Sequence, residues 1–263
     1  MYAAGDSEHR RASHRHMNNR LCNWEHALRE YRYSVDLTMF ADKSKFPGYF
    51  DCNLADGHRL QTITFEDRFR NRAEYSIEVW FEVIYWKMFS QGDYRRNHRT
   101  RKPIQHVERS GISARDLWAA CRNYTDAETR VSFDAVRKLL GFRYQTGVAT
   151  TATFIAFLEP DRFPMVDTRI AKWVGWQLEH GQFTASQLVR PKFLDSKETV
   201  IQMHDFGFVE AWIKWCRNTA TLLSQSTAQH WRSRDVEMAV FRAWGDRGNR
   251  HPLLDLPPLE RSF

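Results

Sequence analysis

The chain has 263 residues, a formal net charge of +7 and ten tryptophans. This length allows one large domain or two small ones with a sizeable core, and no run of about 18 apolar residues predicts a transmembrane helix. The cysteines are few, widely spaced and without a C-x-x-C pair, so we expect reduced thiols in a cytoplasmic protein, nucleoid-associated if it is bacterial. The histidines lack the spacing of zinc ligands, so we predict no metal site.

The N-terminal quarter of the chain is predicted to contain the only β structure. Residues 1–20 are polar and basic and predict a mobile tail, and residues 21–31 have the apolar spacing of a short helix. Residues 49–66 have the pattern of a β-hairpin, because strand-like runs flank Asp56-Gly57, a strong turn signal. The acidic pair Glu66-Asp67 would then end the second strand, beside the two arginines that follow it.

After this region the chain is predicted to be helical to its end. Residues 74–90 are apolar almost all round, which is typical of a central helix. Ser113 and Ser132 are expected to begin two of the shorter helices, and Gly141 to end one. The shorter helices are predicted at residues 113–121, 132–140, 150–158, 167–178, 184–190, 196–203, 206–223 and 233–244.

This order of elements predicts a mainly α fold with two helical lobes and a small β-hairpin near the N-terminus. The central lobe would cover residues 75–165 and the second lobe residues 166–250. Residues 21–74, with the first helix and the hairpin, are expected to pack on the second lobe. Residues 251–263 are rich in proline and predict an extended tail.

Positive charge is concentrated in residues 94–109, YRRNHRTRKPIQHVER, where Glu108 is the single acid. A cluster of this kind is typical of a surface that follows phosphates, so it favours a nucleic-acid partner. The cluster itself does not distinguish DNA from RNA. The predicted phosphate contacts are Arg95, Arg96, Arg99, Arg101 and Lys102.

The most informative segment is residues 147–170, GVATTATFIAFLEPDRFPMVDTRI. A glycine turn begins an apolar helix, whose first N–H groups would be free to bind a phosphate. Asp167 follows a proline and a charged turn, at the point where the next helix should begin. This carboxylate could act on whatever lies beside the phosphate, or it could simply be the N-cap of its helix.

This segment resembles the helix-hairpin-helix (HhH-GPD) DNA glycosylase superfamily, named for its hairpin, Gly/Pro-rich loop and Asp. That family has a Gly-hydrophobic-Gly turn, Thr-Ala at the start of the next helix and an Asp seventeen residues after the Thr. Here Gly147 matches the second glycine, and Thr150 and Thr151 occupy the Thr and Ala positions. Asp167 lies seventeen residues after Thr150, and Phe163-Pro164 matches a Phe-Pro-x-x-Asp pattern of family members.

Two positions depart from the family pattern. Gln145 stands in place of the first glycine, and Ala149 stands where members with lyase activity carry a Schiff-base lysine. The resemblance therefore implies a monofunctional DNA glycosylase, a hydrolase that leaves an abasic site and performs no β-elimination. No four-cysteine set follows the helices, so no iron–sulfur cluster and no other cofactor is implied.

The resemblance implies a catalytic role for Asp167, whose carboxylate would stabilise the positive charge that develops on the sugar during hydrolysis. The implied partner is double-stranded DNA with one modified base flipped out of the stack, bound by a monomer. That base would be a damaged purine, in repair, or a hypermodified cytosine such as a glucosylated phage cytosine, in phage defence. The implied DNA contacts at the hairpin are Gln145, Gly147, Ala149, Thr150 and Thr151.

A flipped base needs a pocket, and aromatic faces commonly supply it. The candidates are Trp80, Tyr85, Phe208, Trp212 and Trp244, although aromatic side chains at helical spacing are more typical of a core. Asp205 could recognise an exocyclic amine of the base or cap the helix that follows it. The main alternative function is a helix-hairpin-helix protein that binds DNA without catalysis, and a relative acting on RNA is a third.

Overall fold

The computed structural model describes residues 24–31, 59–89, 95–180 and 188–244, which contain ten α-helices and no β-strand. The predicted mainly α class is confirmed for these residues. The predicted tails at residues 1–20 and 251–263 lie outside them. The α-helices are α1 (24–29), α2 (Arg59–Arg72), α3 (Ile77–Phe89), α4 (Arg95–Arg109), α5 (Ala114–Ala127), α6 (Arg130–Leu139), α7 (Val148–Leu158), α8 (Thr168–Glu179), α9 (Phe206–Ser226) and α10 (Ser233–Trp244).

The prediction of a second hairpin strand in this region is wrong, because residues 59–72 form helix α2. The β-branched and aromatic residues of QTITF favoured a strand, but the buried positions follow the period of a helix packed on α3 and α7. The remainder of the predicted hairpin, residues 49–58, lies outside the described residues. The buried side chains of this region are Thr62, Phe65, Glu66, Phe69 and Ala73.

Helices α2 to α7 pack around α3 and α7. Helix α3 is buried from Val79 to Lys87, as predicted for a central helix. Ser113 caps α5 as predicted, with a reciprocal capping box to Asp116. Helix α6 begins earlier than predicted, because Thr129 is its N-cap and Ser132 completes that capping box from inside the helix.

Helices α8, α9 and α10 form a second packed group, rich in tryptophan. Trp212 and Trp215 stack with ring centroids 5.2 Å apart, and Trp173 packs against both rings. Helix α1 lies on this group, since Trp24 contacts Trp215 and Trp231. The described residues of this N-terminal region therefore divide their contacts, with α1 against this second group and α2 mainly against α3 and α7.

Two cysteines are described, and both are buried free thiols, as predicted. Burial raises the thiol pKa of Cys121 and of Cys216, so both side chains stay protonated at neutral pH. None of the described helices has the length and apolar character needed to cross a membrane.

The predicted helix at residues 196–203 is wrong, because residues 196–202 run irregularly between two short 3₁₀ helices, Lys192–Asp195 and Met203–Asp205. The buried Asp205 carboxylate stabilises this course by accepting backbone N–H groups that a helix would otherwise satisfy. Of the predicted helix at 184–190, residues 188–190 are not helical and the rest lies outside the described residues. The three donors to Asp205 are the N–H groups of Lys192 (2.6 Å), Phe193 (3.3 Å) and Gln202 (3.1 Å).

A buried ionic cluster joins α2 to the beginning of α10. Glu66 accepts hydrogen bonds from Arg234 Nε at 2.9 Å and from Arg232 Nη1 at 3.1 Å, and the Glu66 and Arg234 side chains have no exposed surface. Arg232 also pairs with Asp235, and Arg234 with Glu237. The predicted pairing with Arg68 and Arg70 is therefore wrong for Glu66, because its helix directs it into the core, whereas Asp67 does pair with Arg70. Burial nevertheless raises the pKa of Glu66, against the effect of the two arginines.

Candidate nucleic-acid site

The connection between α6 and α7, residues 140–147, is a compact turn that depends on glycine. Gly147 is the N-cap of α7 with φ +87°, and a Cβ on it would collide with the ring of Phe142. Glycine thus meets both the left-handed backbone and the close approach of the ring. Helix α7 begins at Val148, two residues before its predicted start.

Arg137 of α6 holds this turn from inside. Its guanidinium is buried and donates to the carbonyls of Phe142 (3.1 Å) and Thr146 (3.0 Å). The same guanidinium donates to Asp134 at 2.8 Å, which compensates its charge. The Gln145 carbonyl accepts the N–H of Met203 at 2.9 Å, so the turn is also attached to the second group of helices.

The hairpin residues predicted to contact DNA offer mainly backbone groups. No described side chain caps α7, so the N–H groups of Val148, Ala149 and Thr150, in the first turn of the helix, have no partner among the described residues. The side chains of Thr150 and Thr151 are buried, whereas Gln145 is exposed and Ala149 half-buried. A phosphate at this turn would therefore be held by N–H groups, not by hydroxyls.

Asp167 lies at the N-terminus of α8 in extended backbone, with φ −148° and ψ 176°. Its Oδ1 accepts the N–H of Ile170 at 2.9 Å, so the N-cap role considered from the sequence is confirmed. The side chain is half-buried, and Oδ2 accepts no hydrogen bond from the described residues. One carboxylate oxygen thus caps the helix, and the other is not engaged by the described residues.

The buried segment before Asp167 fixes its position. Trp212 donates its indole N–H to the Met165 carbonyl at 3.0 Å, and Arg217 donates to the Arg162 carbonyl at 2.7 Å. The guanidinium of Arg217 also lies over the ring of Phe163, 4.6 Å from its centroid. The Phe-Pro-x-x-Asp sequence is therefore an extended segment held by α9.

Lys87 is a second ionisable group whose charge interacts with that of Asp167. It lies in the last turn of α3 with only 5% of its surface exposed. Burial lowers the pKa of its ammonium; the Asp167 carboxylate opposes that shift, and the positive charges of Arg234 and Arg169 add to it. One indication of this residue is present in the sequence, since Lys87 is the single basic residue of a mostly apolar helix, IEVWFEVIYWKMF.

The predicted basic segment forms helix α4, which reaches the hairpin. Arg101 and Lys102 are exposed, while the side chains of Arg95, Arg96 and Arg99 lie outside the described residues. The side chain of His106 fills the space where a Cβ on Gly141 would lie, and Gly141 has φ +76°. The structure therefore places α4 directly against the turn, a proximity that the sequence did not indicate.

Four of the five predicted base-pocket residues lie fully inside the core. Trp80 donates to the Ala73 carbonyl and packs on Phe154, and Trp212 packs in the tryptophan cluster. Trp244 is half-buried beside Trp176. The core positions are Trp80, Tyr85, Phe208 and Trp212, so these rings could reach a base only if the surrounding helices separated.

Among the described residues, Glu198, His204 and Asp205 form a group that could hold a metal ion, with one ligand atom of each within 4.8 Å of the others. His204 Nε2 lies 3.1 Å from Glu198 Oε2 and 3.5 Å from Asp205 Oδ2. The Asp205 oxygens already accept three N–H groups, and this use of its carboxylate accounts for its burial. Asp205 is the N-cap residue of α9 by position, but its side chain does not cap that helix.

Comparison with known protein families, curated proteins and solved structures finds no match for this chain.

Proposed function

We propose that the protein is a monofunctional DNA glycosylase that flips a modified base out of DNA and hydrolyses its N-glycosidic bond. The observation that carries this proposal is the geometry of Asp167. It is rigidly held at a helix N-terminus, half-buried, with Oδ2 not engaged by the described residues. The free first turn of α7 and the basic helix α4 beside the hairpin support the choice of DNA as partner.

In the proposed reaction the bond between C1′ and the base nitrogen breaks, and the base leaves with the electron pair. The Asp167 carboxylate stabilises the positive charge that forms on the sugar and accepts a hydrogen bond from the attacking water. The water oxygen bonds to C1′, one water proton passes through the carboxylate to solvent, and the departing base takes up a proton. The buried Lys87 ammonium partly offsets the negative charge of Asp167.

The test is Asp167→Asn. Asparagine is an equally good N-cap, so α8 is retained, but an amide cannot stabilise the developing charge in the same way. We expect base release to fall by at least about 100-fold while DNA binding is retained. The matched control is Asp126→Asn, an exposed acid at the end of α5, which should leave activity unchanged. Full activity of Asp167→Asn would refute the catalytic assignment.

We propose two substrate classes for this reaction, damaged purines and hypermodified cytosines such as glucosylated phage cytosine. Incubation of the protein with genomic DNAs of different modification, followed by mass spectrometry of the released base, identifies which class is cut. Asp167→Asn run in parallel shows whether any release depends on this site.

The burial of the candidate base-pocket aromatics favours one alternative, a helix-hairpin-helix protein that binds DNA without catalysis. That alternative needs no pocket for a flipped base and no reactive carboxylate. It predicts DNA binding by the wild-type chain with no abasic sites in any of the genomic DNAs. Release of a base by wild type and its loss in Asp167→Asn would exclude it.

A further inference from the structure

A groove of about 940 Å³ runs beside the hairpin, between α6 and the turn that follows it. Its size is near the upper end of the range, about 300–1,000 Å³, of pockets that bind small organic ligands. The α7 N-terminus and Asp167 are not among the residues that line it, whereas the turn after α6 and His106 belong both to the groove and to the site described above. The charged and aromatic side chains that line it include His106, Arg130, Asp134, Lys138, Arg143 and Tyr144.

The groove carries an excess of positive charge. Asp134 is its single carboxylate, and Arg137 and Lys138 already share it, at 2.5 and 2.8 Å. Arg130 and Arg143 are exposed and form no ion pair with the described residues. Two uncompensated guanidinium groups in a concave surface favour an anionic ligand with more than one charge.

An aromatic ring projects from the same groove. Tyr144 is 87% exposed, the most exposed large hydrophobic side chain among the described residues, and it stands at φ +52°. A side chain other than glycine is disfavoured in this conformation, and the bonds of Arg137 to the carbonyls on either side of Tyr144 hold it there. An exposed ring on a fixed turn is suited to stacking on a flat ligand.

The groove continues the basic surface of α4. His106 lines the groove from α4, and its ring lies against Gly141 of the turn. Lys102 and Arg109 are exposed and lie four residues before and three residues after His106, on the same face of the helix. Basic side chains therefore extend from α4 across the groove to Arg143.

We propose that this groove binds an unpaired stretch of a DNA strand, with its phosphates against Arg130 and Arg143 and one base stacked on Tyr144. Backbone charge and a base face are the two features that distinguish nucleic acid from other polyanions. A base within a duplex has both faces covered by its neighbours, so an exposed tyrosine selects an unpaired base. The inference rests on the proposed function only in taking DNA as the partner, and it does not involve Asp167.

The test measures binding of the full chain, in the Asp167→Asn background, to a short oligodeoxythymidine and to a blunt duplex of the same length. Tyr144→Ala should weaken single-strand binding by at least about 5-fold and duplex binding far less. Tyr144→Phe should bind like the parent because it keeps the ring. The matched control is Tyr75→Ala, which removes a tyrosine that is 81% exposed but does not line the groove.

Two further measurements sharpen the result. A 2-aminopurine placed in the oligonucleotide should lose fluorescence on binding to the parent and keep it with Tyr144→Ala. Arg130→Gln and Arg143→Gln should each lower the slope of log affinity against log salt by about 0.7, as expected for one phosphate contact. All four positions are exposed, and unchanged thermal unfolding would confirm that each variant is folded.

Equal binding of parent and Tyr144→Ala would overturn the proposal, and so would an equal loss of duplex and single-strand affinity. Tighter binding of an oligouridine than of the oligodeoxythymidine would overturn the choice of DNA. These outcomes are independent of catalysis, which is measured as base release by wild type. Activity that survives Asp167→Asn, together with a Tyr144 effect, would remove the glycosylase mechanism and leave the groove in place.

Discussion

In the HhH-GPD glycosylase pattern that residues 147–170 resemble, Ala149 occupies the position where members with lyase activity carry their nucleophile, and its methyl group offers no amine. Lys87, in α3, is a lysine whose charge interacts with that of Asp167. A lysine whose pKa is lowered by burial is uncharged more often than an exposed lysine, and an uncharged amine is the form that attacks a sugar aldehyde. Lys87 could therefore either balance the charge of Asp167 or form a covalent bond to the sugar.

We expect Lys87 to act only through its charge. Borohydride added during reaction with DNA should trap no protein–DNA adduct, and no strand cleavage by β-elimination should follow base release. An adduct that disappears in Lys87→Met and persists in Lys172→Met, where an exposed lysine of α8 is removed, would contradict this expectation. That outcome would make Lys87 a nucleophile and the protein bifunctional.

At the scale of elements, the geometry of the hairpin depends on Arg137 of α6 as well as on the glycine of the turn itself. The turn lacks the first glycine of the family pattern, but the buried guanidinium satisfies two of its carbonyls, at 3.1 and 3.0 Å. Buried carbonyl groups without a donor are costly. The hydrogen bonds from α6 thus supply the order that a second glycine turn would have given.

Arg137→Met should therefore lower the free energy of unfolding by about 3 kcal/mol, because two carbonyls lose a charged donor. It should also weaken DNA binding, since the turn would no longer hold its N–H groups in place. Lys138→Met is the matched control, because Lys138 pairs with the same Asp134 from an exposed position and should change stability by less than about 1 kcal/mol. Urea unfolding of both variants measures the difference, and equal losses would contradict the role given to Arg137.

At the scale of the whole molecule, the cluster around Glu66 and Arg234 connects residues far apart in the chain. The Glu66–Arg234 pair spans 168 positions and has no exposed surface. Tyr31, near the end of α1, lies 3.5 Å from the Arg234 guanidinium. Buried ion pairs therefore join helices that are early in the sequence to one that is late. Breaking these pairs would cost free energy, because it would leave buried charges without a partner.

Arg234→Met should cost about 3–5 kcal/mol of unfolding free energy, because it leaves Glu66 and Glu237 buried without their shared partner. The control is Arg115→Met, whose side chain is 79% exposed and 3.9 Å from Glu74, and which should be nearly neutral. Thermal unfolding followed by circular dichroism compares the two. A small effect of Arg234→Met would indicate that the cluster is solvated in solution.

Sequence patterns predicted the elements whose burial follows a local period and failed where distant contacts decide. The helices at α3 and α5 to α10, and the N-cap role of Asp167, were predicted because capping residues and apolar spacing are local. Helix α2 was assigned to a strand because its Thr and Phe content outweighed a helical period that becomes clear only when α7 covers it. Asp205 likewise depends on contacts with Lys192 and Phe193 that no spacing indicates.

The candidate site likewise contains some residues that the sequence predicted and others that it did not. Gly147 and Asp167 are visible from their spacing, but the approach of Lys87 to Asp167 and the position of Tyr144 are not. The candidate aromatic residues for the base pocket have the periodicity of buried side chains, and most of them are buried. The sequence cannot separate a core aromatic from a pocket aromatic, because both follow the same helical repeat.

His106 packs so closely on Gly141 that α4 and the turn are in direct contact at this point. A ligand that displaced α4 would therefore also displace the turn, and a ligand that displaced the turn would displace α4. If the proposed DNA strand contacted both α4 and the turn, the two contacts would be coupled through the packing of His106 on Gly141.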